Sequence, residues 1–207
     1  RAARDAERFQ GEARALREEG PGQAELPYRM MLRTGRLNEA RQQLAAQAHQ
    51  EQTQPVQRPR AHRETLLLLS IILAFQGERA AAFAAAEEGT ERGRQLNSPF
   101  VVAVGLMRQG HGWLLARDEN GYRQAIECFQ AAIGMSKTLE VARLRVEAYW
   151  GLTQAHGCQG QLEQAQLYAD KGIALARQAG DEWISACIYT SLGVSYLLTG
   201  RYEPALI

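Results

Sequence analysis

Apolar segments and alanine-rich segments alternate along this chain, and glycines mark the boundaries between them. One apolar segment runs from Glu64 to Phe75 and is followed by Gly77. An alanine-rich segment, Ala165 to Ala176, follows a glycine at position 160 in the same way. Both kinds of segment have the length and periodicity of helices, and glycine readily adopts the left-handed conformation that ends a helix. The pattern therefore predicts helical hairpins.

The spacing between these glycines and a following alanine recurs at regular intervals. In five places a glycine, or once an asparagine, precedes an alanine by five residues: Gly35 and Ala40, Gly77 and Ala82, Asn120 and Ala125, Gly160 and Ala165, Gly200 and Ala205. Successive alanines are 42, 43, 40 and 40 residues apart. A fixed period of this size is typical of solenoids. We expect each alanine to lie where the two helices of a hairpin cross, because only a small side chain lets the backbones come so close.

The junctions between hairpins repeat as well. The segment Arg94–Phe100 aligns with Arg177–Trp183 without a gap. In each segment an Asn or a Gly is expected to take the left-handed turn, and the next residue, Ser98 or Asp181, to cap the following helix. The aromatic residue that ends each segment is expected to point inwards. The glycine–alanine spacing and the junction segments thus predict the same alignment of the hairpins along the chain.

The repeat divides the chain into one all-α solenoid over residues 1–207. The expected elements are an amphipathic N-terminal helix at 2–18 and hairpins at about 25–50, 61–97, 98–139, 140–180 and 181–207. About three additional residues near 117–120 are expected to lengthen the turn of the third complete hairpin. The last hairpin is truncated, and Leu206 and Ile207 do not form the polar cap with which a solenoid normally closes. The chain is therefore expected to be an internal piece of a longer protein.

Composition and charge exclude several classes of partner. The net charge of +1 gives no electrostatic footprint for nucleic acid, so we expect no direct nucleic-acid contact. No apolar run approaches the length of a membrane span, and no signal peptide is evident. Three cysteines at unrelated spacings do not suggest a disulfide framework. These features favour a cytoplasmic protein without a membrane contact.

Two stretches carry a resemblance to a known repeat. The pattern Leu-Thr-x-x-His-x-x-x-Gly-x-x-x-x-Ala over 152–165 resembles the tetratricopeptide repeat (TPR), and so does Leu-Gly-x-x-Tyr-x-x-x-Gly-x-x-x-x-Ala over 192–205. Because these repeats exceed the common 34 residues, they look like those of MalT-type bacterial regulators. The stretches 97–111 and 145–152 are similar to sensor arrays of large bacterial transcriptional activators, including those with a bacterial transcriptional activator domain.

The resemblance implies a right-handed TPR superhelix and a non-catalytic role. The chain would be the ligand- or protein-binding sensor segment of a bacterial ATP-dependent transcriptional regulator, in which an effector or partner shifts a switch domain elsewhere in the protein. The alternative is a constitutive protein–protein interaction scaffold without a sensing role. A flanking phosphate-loop domain and a helix-turn-helix would favour the regulator.

Candidate chemistry in the chain is sparse. No carboxylate pair, nucleophile with a base, or metal cluster stands at a spacing that would hold the groups together, so we expect neither an enzyme nor a cofactor or metal site. His156 occupies the tyrosine position of its repeat and is expected to be a packed core residue. The cysteines are expected to be small buried apolar residues.

The resemblance also predicts where a partner binds. In TPR arrays the concave face is lined mainly by the first helix of each hairpin. The residues predicted at this face are Leu67, Ile71, Met107, Arg108, His111, Glu147, Trp150, Gln154, Thr190 and Val194, with Ala74, Leu114, Cys158 and Cys187 beside them. This lining suits an apolar or mixed ligand, which would be a small-molecule effector, or the helix of a protein or peptide partner.

Three of these residues leave alternatives open. Trp150 and His111 could hold a small molecule between them, or Trp150 could simply pack against a neighbouring helix. Arg108 could reach an anion, or it could pair with Glu147.

Overall fold

The computed structural model describes residues 25–53, 59–139 and 142–201, and every regular element in these ranges is an α-helix. The predicted all-α class is therefore confirmed. The helices are α1 Glu25–Arg33, α2 Leu37–Thr53, α3 Pro59–Phe75, α4 Arg79–Gln95, α5 Pro99–Leu114, α6 Glu119–Leu139, α7 Ala142–Cys158, α8 Leu162–Gln178 and α9 Glu182–Leu198. The helix predicted at 2–18 and the end of the chain with Ala205, Leu206 and Ile207 lie outside the described residues.

Left-handed glycines end most of the helices. The residues with positive φ include Gly35, Gly77, Gly160, Gly180 and Gly200, with φ between 67° and 81°. At Gly77 the amide of the following residue, Glu78, donates to the Leu73 carbonyl at 2.9 Å, and the glycine amide donates to Ala74 at 3.0 Å. These two bonds satisfy carbonyls at the end of α3 that would otherwise lack partners. The glycines therefore do what the sequence pattern predicts.

The turn between α5 and α6 differs from the prediction. Asn120 lies inside α6, and the residue in the left-handed region is Arg117, with a φ of 53°. Asp118 then begins the helix by accepting a hydrogen bond from the Gly121 amide at 2.6 Å. Because an aspartate cap starts the helix this early, the additional residues extend the first turn of α6. The loop of four residues at 115–118 is also one residue longer than the loops at 76–78 and 159–161.

The junction before α5 also departs in part from expectation. Asn97 has a φ of 50°, but the Ser98 side chain makes no capping hydrogen bond, and Phe100 is 44% exposed. The equivalent Asp181 does cap α9, because its carboxylate accepts from the Ile184 amide at 3.3 Å. Trp183 is partly buried against the core, as expected. Ser98 and Phe100 therefore contradict the prediction made from the aligned segments.

Consecutive helices pack as antiparallel pairs around small residues. Ala40, Ala82, Ala125 and Ala165, the alanines of the sequence period, are all fully buried. Between the pairs, each second helix contacts the first helix of the next pair. First helices also contact one another: α1 with α3, α3 with α5, α5 with α7, and α7 with α9. Within the described ranges no comparable packing joins α4, α6 and α8. We call α3, α5, α7 and α9 the first-helix layer.

The core lies between this layer and the second helices. Its largest fully buried side chain is Phe129 of α6, which packs in one cluster with Met107 of α5 and Leu152 of α7. A second cluster joins α7, α8 and α9 around Trp150 and Ile188. The apolar side chains of each layer are therefore shared between neighbouring hairpins.

A long-range contact joins the first described helix to the last one. The Arg33 guanidinium donates to the Asp181 carboxylate at 2.8 Å, although 148 positions separate the two residues. The same guanidinium lies over the Trp183 ring, 5.4 Å from its centroid. We call this pair of contacts the Arg33 bridge. It brings the end of α1 to the start of α9.

Among the described helices, none combines the length and apolar character that a membrane crossing requires.

Candidate functional site

A cavity of about 590 Å³ opens along the first-helix layer, near the carboxyl ends of its helices. Its volume lies within the range of roughly 300–1,000 Å³ that is typical of small-molecule sites. It is lined by Ile71, Ala74, Phe75, His111, Leu114, Leu115, Arg117, Tyr122, Gln154, Cys158, Thr190, Ser191, Val194, Ser195 and Leu198.

Half of the predicted site residues line this cavity. They come from all four helices of the first-helix layer, and the two on α9 are about one helical turn apart. They are Ile71 from α3, His111 from α5, Gln154 from α7, and Thr190 and Val194 from α9. Ala74, Leu114 and Cys158 line it as well. The structure therefore brings residues from four hairpins to one site.

The other predicted residues do not line this cavity. Leu67 and Met107 are buried side chains, 4% and 1% exposed. Cys187 is half-buried and packs against the cluster around Trp150. Each of these residues lies about one helical turn from a lining residue, towards the amino end of its helix. The cavity therefore covers only part of the predicted face, towards the carboxyl ends of the helices.

Trp150 lies behind the cavity wall. Its ring stacks on Phe75 at a centroid distance of 5.8 Å and contacts His111 at 5.2 Å, and both of these residues line the cavity. Its indole N–H donates to the Ser191 Oγ at 2.9 Å, and only 6% of the residue is exposed. Of the two alternatives for Trp150, this geometry supports packing, because both its ring and its donor are already engaged.

Arg108 is paired with Glu147. The guanidinium lies 3.2 Å from the carboxylate, and both side chains are largely buried. Arg143 approaches the same carboxylate at 3.3 Å. Burial alone would raise the pKa of Glu147, but the charges of Arg108, Arg143 and Arg29 outweigh it and lower the pKa to about 2. Glu147 is therefore ionised at neutral pH, and Arg108 makes the ion pair that was one of its two alternatives.

His111 is a neutral group in the cavity wall. It is 7% exposed, and its Nε2 has no hydrogen-bond partner among the described residues. Burial lowers the pKa of His111 to about 3; the charge of Arg108 adds to this shift, and Glu147 opposes it. The ring edge packs on Phe129 at a centroid distance of 5.1 Å. An uncharged imidazole of this kind can accept or donate one hydrogen bond at each nitrogen, according to its tautomer.

The remaining polar groups of the wall differ in what they can still bind. The hydroxyls of Thr190, Ser191 and Ser195 each donate to a carbonyl of their own helix, so they can only accept from a ligand. The Gln154 amide makes no hydrogen bond with another described residue and can both donate and accept. Among the lining residues of the described chain, only Arg117 carries a charge at neutral pH.

Several lining residues were not found from the sequence. Phe75 and Leu198 lie four positions beyond the predicted Ile71 and Val194, so one more helical turn would have found them. Arg117 and Tyr122 come from the α5–α6 turn and from α6. The assumption that first helices alone line the site excludes these two residues.

The cysteines are less buried than the sequence suggests. Cys158 is exposed at the cavity, and Cys128 and Cys187 are half-buried, so the prediction of three buried cysteines is wrong. His156 is buried, as predicted, and stacks on Tyr168. Across residues 25–53, 59–139 and 142–201, no three His, Cys, Asp or Glu side chains come together as a metal site would require.

No protein-family model matches the chain, and no curated protein matches it in sequence. Its resemblance to TPR proteins thus rests on the motif positions alone.

Proposed function

We propose that this chain is a non-catalytic binding segment of TPR type, which takes its ligand or partner in the cavity of the first-helix layer. The observation that carries the proposal is the cavity itself, to which α3, α5, α7 and α9 all contribute side chains. A site shared by four hairpins responds to small changes in their relative positions. A ligand that fits one arrangement better than another will therefore stabilise that arrangement.

The segment serves, in this proposal, as the sensor of a bacterial ATP-dependent transcriptional regulator. Support comes from the TPR-like positions at 152–165 and 192–205 and from a period longer than that of the common repeat. Binding would then have to differ in affinity between two states of the regulator, since a ligand of equal affinity shifts no equilibrium.

A scaffold that assembles proteins without sensing is the second candidate. Support comes from the stacked helical hairpins, because an extended surface of this kind suits a protein partner.

The full reading frame tests the regulator directly. We expect a phosphate-loop ATPase domain and a helix-turn-helix in the same polypeptide as this segment. A reading frame that contains neither would contradict the regulator and favour the scaffold.

Binding in the cavity is tested by a thermal-shift screen with oligosaccharides, nucleotides, amino acids and short apolar peptides. A ligand at 100 times its Kd stabilises the chain by about 2.7 kcal/mol, which raises Tm measurably. Val194→Trp should abolish the shift because Val194 lines the cavity, whereas the equally exposed Leu167→Trp on α8 should not. A shift that survives Val194→Trp would place the ligand elsewhere.

A further inference from the structure

The wall of the cavity is mainly apolar. Aliphatic or aromatic side chains come from three of its helices: Ile71 and Phe75 from α3, Leu114 from α5, Val194 and Leu198 from α9. Displacement of water from such a surface by an apolar group lowers the free energy. Most of the ligand's surface is therefore expected to be apolar.

The wall offers little to a charged ligand. His111 is neutral at physiological pH, and the ion pair of Arg108 with Glu147 lies outside the lining. Arg117, the one charged group in the described lining, is an exposed residue of the α5–α6 turn and keeps its own contact with water. A cation carried into this cavity would lose hydration without gaining a counter-charge from the described lining. An anion would meet only the exposed guanidinium of Arg117, and water weakens that attraction.

A polar group of the wall is available for a hydrogen bond. The Gln154 amide is half-buried and bonds to no other described residue. The Nε2 of His111 also lacks a partner in the described part of the chain, but this atom is buried and does not reach the cavity surface. Gln154 is therefore the side chain that can pair with the polar group of a ligand.

The size of the cavity limits the occupant. One turn of a peptide helix, about 10 Å across and 5.4 Å long, fills roughly 420 Å³. The cavity of about 590 Å³ therefore holds little more than a single turn. A compact small molecule can fill this volume on its own, whereas a helix of a partner protein would have to extend beyond it.

We propose that the cavity binds an uncharged, largely apolar small molecule whose single hydrogen-bonding group pairs with Gln154. The inference rests on the proposed function, in that it takes this cavity to be the binding site. It adds the chemical class of the ligand and the residue that recognises its polar end. The apolar body lies against α3 and α9, and the polar group points towards Gln154 on α7.

A matched pair of fluorescent probes tests the class of ligand. N-phenyl-1-naphthylamine is neutral and carries one N–H donor, and 8-anilino-1-naphthalenesulfonate has the same ring skeleton with a sulfonate added. We expect the neutral probe to bind saturably at one site per chain, at least about tenfold more tightly than the sulfonate. Equal or tighter binding of the sulfonate would overturn the preference for an uncharged ligand.

Variants of the wall test the location and the polar contact. Val194→Trp should weaken the neutral probe at least tenfold, and Leu167→Trp should leave it unchanged. Gln154→Leu should weaken it about fivefold, the size of one lost hydrogen bond, and Gln178→Leu at the exposed end of α8 should have no effect. Far-UV circular dichroism establishes that each variant is folded.

The two proposals fail separately. Absence of saturable binding, or binding that Val194→Trp and Gln154→Leu leave unchanged, would overturn the assignment of this ligand class. The domains that flank the segment in the full reading frame decide the regulator independently of any probe.

Discussion

Trp150 is the residue that connects the cavity wall to the core. It contacts two lining residues, Phe75 and His111, and its indole N–H is bonded to a third, Ser191. On its other side it meets Trp183 at a centroid distance of 6.1 Å. A side chain in this position supports the shape of the site without forming its surface.

Truncation of Trp150 is expected to destabilise the fold. Trp150→Ala should lower the free energy of unfolding by about 3–5 kcal/mol, because it leaves a large cavity between α3, α7 and α9. Leu167→Ala, at a residue that is 43% exposed, should cost less than about 1 kcal/mol. Urea titration followed by circular dichroism measures both. An unchanged unfolding curve for Trp150→Ala would show that the side chain serves binding and not packing.

The buried, neutral side chain of His111 makes the stability of the fold depend on pH. Its pKa is about 3 in the folded chain and near 6.5 when unfolded, so below pH 6.5 the unfolded chain binds more protons. The contribution of His111 to the stability of the fold is therefore fully present above pH 6.5, and it falls as the pH drops towards 3. Between pH 8 and pH 5 the loss due to His111 is about 2 kcal/mol.

The variant His111→Phe isolates this contribution. Its loss of stability between pH 8 and pH 5 should be about 2 kcal/mol smaller than that of the parent chain. Glu147 does not contribute in this window, because its pKa of about 2 keeps it ionised and its stabilisation is lost only below pH 4.5. Urea titrations at the two pH values provide the measurement. Equal losses in the two proteins would contradict a buried neutral His111.

At the scale of elements, the turns are where sequence and structure can be compared most closely. Among the described residues, five glycines have positive φ, and Arg117 takes the same conformation in the turn before α6. A residue with a Cβ is strained there, whereas glycine is not. The turn before α6 is therefore less stable than the equivalent turn at Gly77.

A pair of substitutions tests this difference. Arg117→Gly should raise the free energy of unfolding by about 0.5–1 kcal/mol because it relieves the strain, and Gly77→Ala should lower it by about 1 kcal/mol. Neither change meets a steric obstacle. Arg117→Gly removes a side chain, and no atom lies within 4 Å of a Cβ built at Gly77. Thermal unfolding of both variants measures the effects. Destabilisation by Arg117→Gly would contradict the assignment of Arg117 to the glycine position.

Much of the fold could be predicted from local signals. Glycine at a helix end and a fully buried alanine at a crossing each reflect a constraint that one residue must meet, so both are visible in the sequence. Ser98 and Phe100 were predicted wrongly because their roles depend on the exact approach of two helices. That approach is set by packing, which alignment of short segments does not describe.

At the scale of the whole molecule, the Arg33 bridge adds a contact between the ends of the described chain. Most other packing joins helices that are neighbours or next neighbours in sequence. Arg33 instead contacts Asp181 and Trp183 at the start of α9. The bridge therefore couples local unfolding of α1 to local unfolding of the last hairpin.

Loss of this bridge is expected to loosen two distant helices together. Arg33→Gln should cost about 1 kcal/mol, the sum of a partly exposed ion pair and a cation–π contact. Amide hydrogen exchange should then become faster in both α1 and α9. Arg36→Gln, which removes an ion pair with Glu39 in the next helix, should affect α2 alone. Faster exchange confined to α1 would contradict the link.

The candidate site was predictable only in part, because its shape depends on how whole helices are placed relative to one another. Alignment of the repeats, together with the resemblance to TPR arrays, predicted Ile71, His111 and Gln154 at one face of three helices. It does not tell where along that face the helices diverge enough to leave a cavity. Tyr122 joins the site because α6 begins early, which depends on the cap at Asp118 and on no repeat position.

The unequal exposure of the three cysteines makes the chain a selective substrate for alkylation. Burial raises the pKa of the Cys128 and Cys187 thiols to about 11, so both are protonated at pH 8 and react slowly. Cys158 is exposed and borders the cavity. Iodoacetamide therefore marks the edge of the cavity in the unaltered protein, and the rate of this reaction reports whether the cavity is occupied.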